Sequence, residues 1–109
     1  MITICADSFT INIGKNAKEN WNLLEEANKK DIWLHLNDNA SPYVIIEYDN
    51  NYKLKRKDLK LAGRLCKAHS KERNTKNVEV CYLEVQYVKK GKSLGEAILL
   101  REPKKLIIK

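Results

Sequence analysis

Residues 14–46 read GKNAKENWNLLEEANKKDIWLHLNDNASPYVII and predict a helix followed by two strands, with short connections between them. Asn16 stands where an N-cap belongs and Glu19 follows three residues later, which is the pattern of a capping box. Residues 32–36 alternate between two faces as a strand does, and 43–46 begin the next strand after a polar loop at 37–42. The buried side of the helix is predicted to carry Ala17, Trp21, Leu24 and Asn28.

The flanking segments predict further strands and a second helix. Residues 2–13 alternate as two short strands around a turn at 6–8, and 58–71 have helical spacing with Asp58 as the cap. Gly63 lies inside this helix at a cost of about 1 kcal/mol relative to alanine, so close packing against a strand is expected there. The stripe expected to be buried consists of Leu61, Ala62, Leu65, Cys66 and His69.

The C-terminal third reads as strands. Residues 77–88 change the buried face near Tyr82, which predicts a bulge or bend there. Residues 97–100 and 106–108 predict a closing hairpin around Pro103, because proline cannot donate to a ladder. The prediction is a single α+β domain over residues 1–109, with a mostly antiparallel sheet and two helices packed against it.

The net charge of +7 is concentrated in the second half of the chain. Residues 53–76 carry ten lysines and arginines against two carboxylates, Asp58 and Glu72, whereas residues 1–52 are net acidic. Segregated charge of this kind is typical of a surface that binds a polyanion. On the second helix, five cations recur at intervals of three and four residues and form one row, which we call the basic ridge: Lys57, Lys60, Arg64, Lys67 and Lys71.

Two other parts of the sequence offer contacts to a nucleic acid. The glycine loop at 89–95 supplies Lys89, Lys90 and Lys92, and the turn at 14–16 offers backbone amides at a helix N-terminus, where a phosphate can bind. Trp33 and His35 share one face of their strand and, if that face is open, can stack on unpaired bases. On charge alone the partner is RNA, DNA or an acidic membrane surface, but neither helix has the strong apolar face that membrane binding needs.

The sequence gives no support to catalysis, a metal or a cofactor. It has no nucleophile elbow, zinc-protease motif or phosphate-binding loop, and His35 has no partner nucleophile in view. The three cysteines, Cys5, Cys66 and Cys81, are widely spaced in apolar patterns, so they are expected to be small buried side chains in a reducing compartment. With neither a signal peptide nor a membrane span, a cytoplasmic protein is expected.

The central stretch resembles the NFACT-R domain, an RNA-binding family. The shared features are GKNAKEN, the Asp-Ile-Trp-Leu-His strand at 31–35, the loop into YVII, LAGRLCKAHSK, NVEVCYLEVQYVKK and Gly95. Together they cover about residues 8–108 in the family's order. The polar positions that match the family are Gly14, Lys15, Asn16, Asn20, Asp31, Trp33, His35, Ser41, Ser70, Lys89, Lys90 and Gly95.

The resemblance implies a non-catalytic module that binds structured RNA, either tRNA or rRNA, with an association to the ribosome. Large relatives act in ribosome quality control and extend stalled chains, but their other domains are not in this sequence, so that activity is not inferred. This chain is similar to the small type of the family, for which DNA is an alternative partner. A protein-interaction adaptor that docks through its C-terminal hairpin edge is the other alternative. The loop histidine of the large relatives is replaced here by the segment at 40–43, so the resemblance implies no histidine contact at that position.

Overall fold

The structure, a computed structural model, describes residues 1–37 and 40–109, so residues 38 and 39 of the predicted polar loop lie outside the described part. The elements follow the predicted order of strands around two helices. They are β1 (Ile2–Cys5), β2 (Phe9–Ile13), α1 (Ala17–Glu26), β3 (Ile32–Leu36), β4 (Val44–Tyr48), α2 (Arg56–Ala68), β5 (Val78–Glu84), a 3-10 turn (Val85–Tyr87), β6 (Val88–Lys90), β7 (Ala97–Leu99) and β8 (Lys104–Ile108).

Six of these strands form one sheet in the order β1-β2-β4-β3-β5-β8, and every described pairing in it is antiparallel. Strands β6 and β7 form a separate two-stranded sheet. The α+β class with a mostly antiparallel sheet and two helices is therefore confirmed. Strands β3 and β4 lie in the middle of the large sheet, so the stretch at 14–46 supplies its centre.

The centre of the large sheet is buried on both faces. Successive residues of a strand point to opposite faces, and both sets include buried apolar residues in β3 and β4. One face packs against α2 through Leu34, Val44 and Ala62, whereas the other face packs Trp33 and Ile45 against α1 and the small sheet. The domain therefore has three layers, with α2 alone on one side.

Helix α1 begins as predicted and ends earlier. Asn16 caps it, since its Oδ1 accepts from the Glu19 amide at 2.9 Å. The Glu19 carboxylate accepts from the Lys15 amide at 2.9 Å, one residue before the position that a standard capping box uses. The predicted buried stripe is partly wrong: Leu24 is buried as predicted, but the helix ends at Glu26, before Asn28, and its other buried residues are Asn20 and Leu23.

Helix α2 begins two residues before the predicted cap. Asp58 lies in its first turn and accepts from the Lys55 amide at 2.9 Å, so Lys55 is the N-cap residue and the prediction of Asp58 as the cap is wrong. The predicted buried stripe is also partly wrong, since Leu61 is 39% exposed and His69 is exposed. His69 lies beyond the end of the helix at Ala68. Gly63 packs against β8: a Cβ there would lie 2.9 Å from Ile108 Cδ1, and this confirms the close packing expected at this glycine.

Two predictions about the C-terminal third are wrong. Strand β5 pairs with β3 without a bulge at Tyr82, and the chain turns only afterwards, in the 3-10 segment. The face change in the sequence arises because β5 is buried on both sides. Strands β7 and β8 form no hairpin: β7 pairs with β6, and β8 pairs with β5 at the edge of the large sheet.

No disulfide joins the three cysteines, all of which lie in the described part of the chain. Cys66 and Cys81 are buried as expected, and burial raises the pKa of Cys66 to about 11, whereas Cys5 is exposed on the edge strand β1, against expectation. Neither described helix combines the length and the apolar character that crossing a membrane requires.

Candidate nucleic-acid interface

The basic ridge forms a row along the outer side of α2. Lys57 and Arg64 are exposed, and Lys60 and Lys67 are half-buried, while the opposite side of the helix is fixed against the sheet by Ala62, Gly63 and Cys66. Lys71 follows the helix, which ends at Ala68. Among residues 1–37 and 40–109 no ridge side chain is in an ion pair, and Lys67 donates to the Lys109 carbonyl at 3.2 Å.

The second predicted basic element lies elsewhere. Strand β6 packs with α1 on the face opposite α2, and Lys90 forms an ion pair with Glu25 and lies 5.2 Å from the centre of the Trp21 ring. The amide of Lys92 donates to Glu96 at 2.9 Å, and Lys89 is exposed on β6. The structure therefore does not bring Lys89, Lys90 and Lys92 together with the basic ridge, as one binding surface would require.

Beyond the C-terminal end of α2, an open groove of about 660 Å³ is lined by residues from six separated segments of the chain. We call it the signature groove, because most of the polar positions that match the family line it. No carboxylate is among the described residues that line it. Its family-matching residues are Gly14, Lys15, Asn16, Asn20, His35, Ser41, Ser70 and Gly95.

Some of these residues form hydrogen bonds within the protein that fix the shape of the signature groove, so few of their polar groups remain to bind a ligand. Asn20 is buried, and its Oδ1 accepts from the Tyr43 amide at 3.0 Å. Gly14 donates its amide to the Tyr43 carbonyl at 3.1 Å, and a Cβ on Gly14 would lie 2.1 Å from Asn20 Oδ1. Asn20 was predicted to contact nucleic acid, but in the structure its carbonyl oxygen ties α1 to β4.

Gly95 closes the other side of the signature groove. Its φ is +86°, in the region that favours glycine, and a Cβ would lie 2.8 Å from the Cβ of Ala17. Its carbonyl accepts from the Tyr43 hydroxyl at 2.6 Å. Burial raises the pKa of Tyr43 to about 12, so this hydroxyl remains a donor at neutral pH.

The N-terminus of α1 does not offer the phosphate site that the sequence predicts. The amides of Gly14 and Lys15 are already bonded, to the Tyr43 carbonyl and to the Glu19 carboxylate. That carboxylate also lies 2.8 Å from the amino group of Met1, whose hydrogen bond lowers the pKa of Glu19. A carboxylate at this position repels a phosphate, so the amide prediction is wrong, although the Lys15 side chain stays exposed.

The stacking prediction fails for Trp33 and is limited for His35. Trp33 is 2% exposed, so it has no open face for a base. Its indole lies parallel to the His35 ring, with 5.6 Å between the centroids and 4° between the planes. His35 is half-buried and lines the signature groove. Burial lowers its pKa, and its Nδ1–H donates to the Leu36 carbonyl at 2.6 Å. The neutral ring then carries its acceptor lone pair on Nε2.

The two serines of the signature groove are bonded to the backbone. Ser41 Oγ accepts from the Leu36 amide at 3.0 Å, which fixes the start of the loop after β3. Ser70 Oγ donates to the Lys67 carbonyl at 2.7 Å and accepts from the Glu72 amide at 3.1 Å, which ends α2. Their match to the family is explained by these loop contacts.

The side chains of the signature groove that remain open to a ligand are cations and imidazoles. Lys15, His69 and Lys71 are exposed, and His35 is half-buried beside them. His69 was assigned to the core from helical spacing and is therefore a residue that the sequence analysis missed. Ser70, which ends the helix, is the signal that could have placed His69 outside the core. Because Lys71 belongs to both features, the basic ridge leads directly into the signature groove.

The family model described as "NFACT protein RNA binding domain" matches residues 2–99. Among solved structures, the C-terminal part of the fibronectin/fibrinogen-binding protein from Streptococcus suis is similar, with a TM-score of 0.84 and 25% identity. The match covers 97% of this chain and 43% of that one. No curated protein sequence matches the chain.

Proposed function

The chain belongs to the NFACT RNA-binding domain family, and we propose that it binds structured RNA, tRNA or rRNA, in translation or ribosome quality control. Family membership supports a nucleic-acid-binding module. The observation that carries the proposal is the basic ridge, whose five cations have no ion-pair partner among the described residues.

The ridge suits a phosphate backbone for a physical reason. Its cations repeat along a helix that is anchored on its other side, so their spacing is set before the ligand arrives. Binding releases the counterions that neutralise the RNA and relieves repulsion within the ridge. Phosphate contacts supply affinity and orientation without sequence preference, which agrees with recognition of RNA by its shape.

The signature groove lies at one end of the basic ridge and offers other functional groups as well as cations. Lys15 and Lys71 supply positive charge there, and the neutral His35 supplies a hydrogen-bond acceptor. We propose that the ridge attracts the RNA and that the groove contacts a nucleotide at the end of the bound segment.

Charge reversal at two matched sites tests the proposal. In one variant Lys60 and Arg64 on the ridge become glutamate, and in the control the exposed Lys18 and Lys29 become glutamate. Both variants change the net charge by the same amount, so a general loss of positive charge affects them equally. Fluorescence anisotropy with labelled tRNA at low salt measures the affinity, and duplex DNA serves as competitor.

The expected result is a loss of affinity of at least tenfold for the ridge variant and a small change for the control. Equal losses in both variants would show that net charge alone drives binding and would contradict the proposed surface. Displacement of tRNA by an equal concentration of duplex DNA would favour the DNA alternative over RNA.

A further inference from the structure

At the N-terminal end of α2, opposite the signature groove, lies a second groove of about 450 Å³ that the family-matching residues do not line. We call it the tyrosine groove. It forms where the sheet face that carries α2 extends beyond the first turn of the helix. Its aromatic and cationic lining residues are Lys30, Tyr48, Tyr52, Lys53 and Tyr82.

The three tyrosines of this groove are half-buried, so each is held by the fold and still reaches solvent. The Tyr48 hydroxyl donates to the Lys30 carbonyl at 3.0 Å. Tyr52 donates to Asp58 at 2.6 Å, and its ring stacks on Phe9 with 5.9 Å between the centroids. In the part of the chain that the structure describes, the Tyr82 hydroxyl has no hydrogen-bond partner, so this ring is positioned by packing alone.

The charged side chains that line the tyrosine groove are positive and lead to the basic ridge, whereas the nearby carboxylates Asp31, Glu84 and Asp58 lie outside the lining. Lys30 and Lys53 are exposed, no carboxylate is among the described lining residues, and Asn50 and Asn51 add amide groups that can bond base edges. Lys55 and Lys57 follow directly and lead onto α2. The 13 residues of α2 span about 20 Å, so the ridge connects two grooves at that separation.

We propose that the tyrosine groove binds an unpaired base of the RNA, which stacks on Tyr82 while its flanking phosphates contact Lys53 and the ridge. The inference rests on the proposed function, since it assumes that RNA follows the ridge. Aromatic side chains beside a positively charged track are the arrangement that proteins use for single-stranded segments. A nucleobase is smaller than the groove, which is open to solvent along its length.

The test compares single-stranded and paired RNA. The probes are an oligouridylate of about twelve nucleotides, within the range of known single-strand site sizes, and a fully paired RNA duplex of equal length. In Tyr82→Leu the apolar packing is kept and the ring is lost. Tyr82→Phe keeps the ring, and Tyr87→Leu changes a half-buried tyrosine outside the groove, which Arg101 covers at 3.9 Å.

We expect Tyr82→Leu to lower the affinity for the single strand about tenfold, which is within the range for base–aromatic stacking, and to leave duplex binding within about twofold. Tyr82→Phe and Tyr87→Leu should bind both probes as the unmodified protein does. An oligouridylate with one 2-aminopurine should lose fluorescence on binding the unmodified protein, because stacking quenches it. This measurement uses only the unmodified protein, so it does not depend on whether a variant folds.

Four results would contradict the base site, and the last of them would also contradict the proposed function. Unchanged single-strand affinity in Tyr82→Leu, or absence of quenching, overturns the base site while the proposed function stands. An equal loss for both probes, with a lowered unfolding midpoint, overturns it too, since the ring then acts only through stability. If the unmodified protein binds neither RNA, the proposed function fails, and the base site fails with it.

Discussion

Replacing Gly63 by alanine tests whether the ridge helix is seated on the sheet as described. An added Cβ would lie 2.9 Å from Ile108 Cδ1 and 3.2 Å from its Cγ1. Overpacking of this kind costs about 1–3 kcal/mol, whereas the gain in helix propensity is about 1 kcal/mol. We therefore expect Gly63→Ala to lower the free energy of unfolding by about 1 kcal/mol, a fall of several tenths of a molar in the urea midpoint.

A second variant identifies the atom responsible. Ile108→Val removes the Cδ1 methyl and by itself costs about 0.5–1.5 kcal/mol. In that background, Gly63→Ala should be neutral or stabilising, because the closest atom is gone and only the 3.2 Å contact remains. Stabilisation by Gly63→Ala alone, of the size that an exposed helix position would give, would refute the packing of α2 against β8.

Three further predictions concern the residues around the grooves. Asn20→Ala should cost about 1–3 kcal/mol in urea unfolding because it leaves the Tyr43 amide buried without an acceptor, and Asn20→Asp, which keeps the acceptor, should cost less. Asp58→Ala should cost about 1 kcal/mol because the Lys55 amide and the Tyr52 hydroxyl lose their acceptor in the first turn of α2; an unchanged thermal midpoint would contradict this. Burial lowers the pKa of His35, so the unfolded chain binds a proton at a higher pH than the folded protein does. The contribution of His35 to the free energy of unfolding should therefore be complete above pH 6.5 and decline below it. His35→Gln should remove the part of this pH dependence that comes from His35.

The order of elements and the centre of the sheet could be predicted because local patterns determine them. The capped start of α1 and the alternation at 32–36 need no distant contact to be recognised. The exact burial along each helix could not be predicted, because it depends on tertiary packing such as the close approach of Ile108 to Gly63. His69 was placed in the core because the helical spacing was continued past the end of α2 at Ala68.

The strand pairing of the C-terminal third could not be predicted from the sequence, for a related reason. Residues 97–108 contain two apolar runs around a proline, which is the pattern of a hairpin, yet each run pairs with a strand further away in the chain. Alternation also does not tell whether one face of a strand is open. Trp33 and His35 share a face, and only the packing of α1, β6 and Tyr43 against it shows that Trp33 is buried.

The two parts of the candidate site also differ in whether the sequence alone could predict them. The basic ridge could be predicted because it needs only helical spacing and charge, and all five residues are where the spacing places them or directly after the helix. The signature groove could not, since Gly14, His35, Ser70 and Gly95 meet only in the folded chain. Several of its residues proved to be bonded to the backbone.

The dependence of RNA binding on salt tests the central claim most directly, because its slope counts the phosphates that the protein contacts. Five ridge contacts to duplex RNA predict a slope of log affinity against log salt of about −4.5, so a fourfold rise in salt should weaken binding about 500-fold. Lys60→Gln with Arg64→Gln should reduce the slope to about −2.7, or about 40-fold over the same range. An unchanged slope in this variant would contradict an RNA interface on the basic ridge.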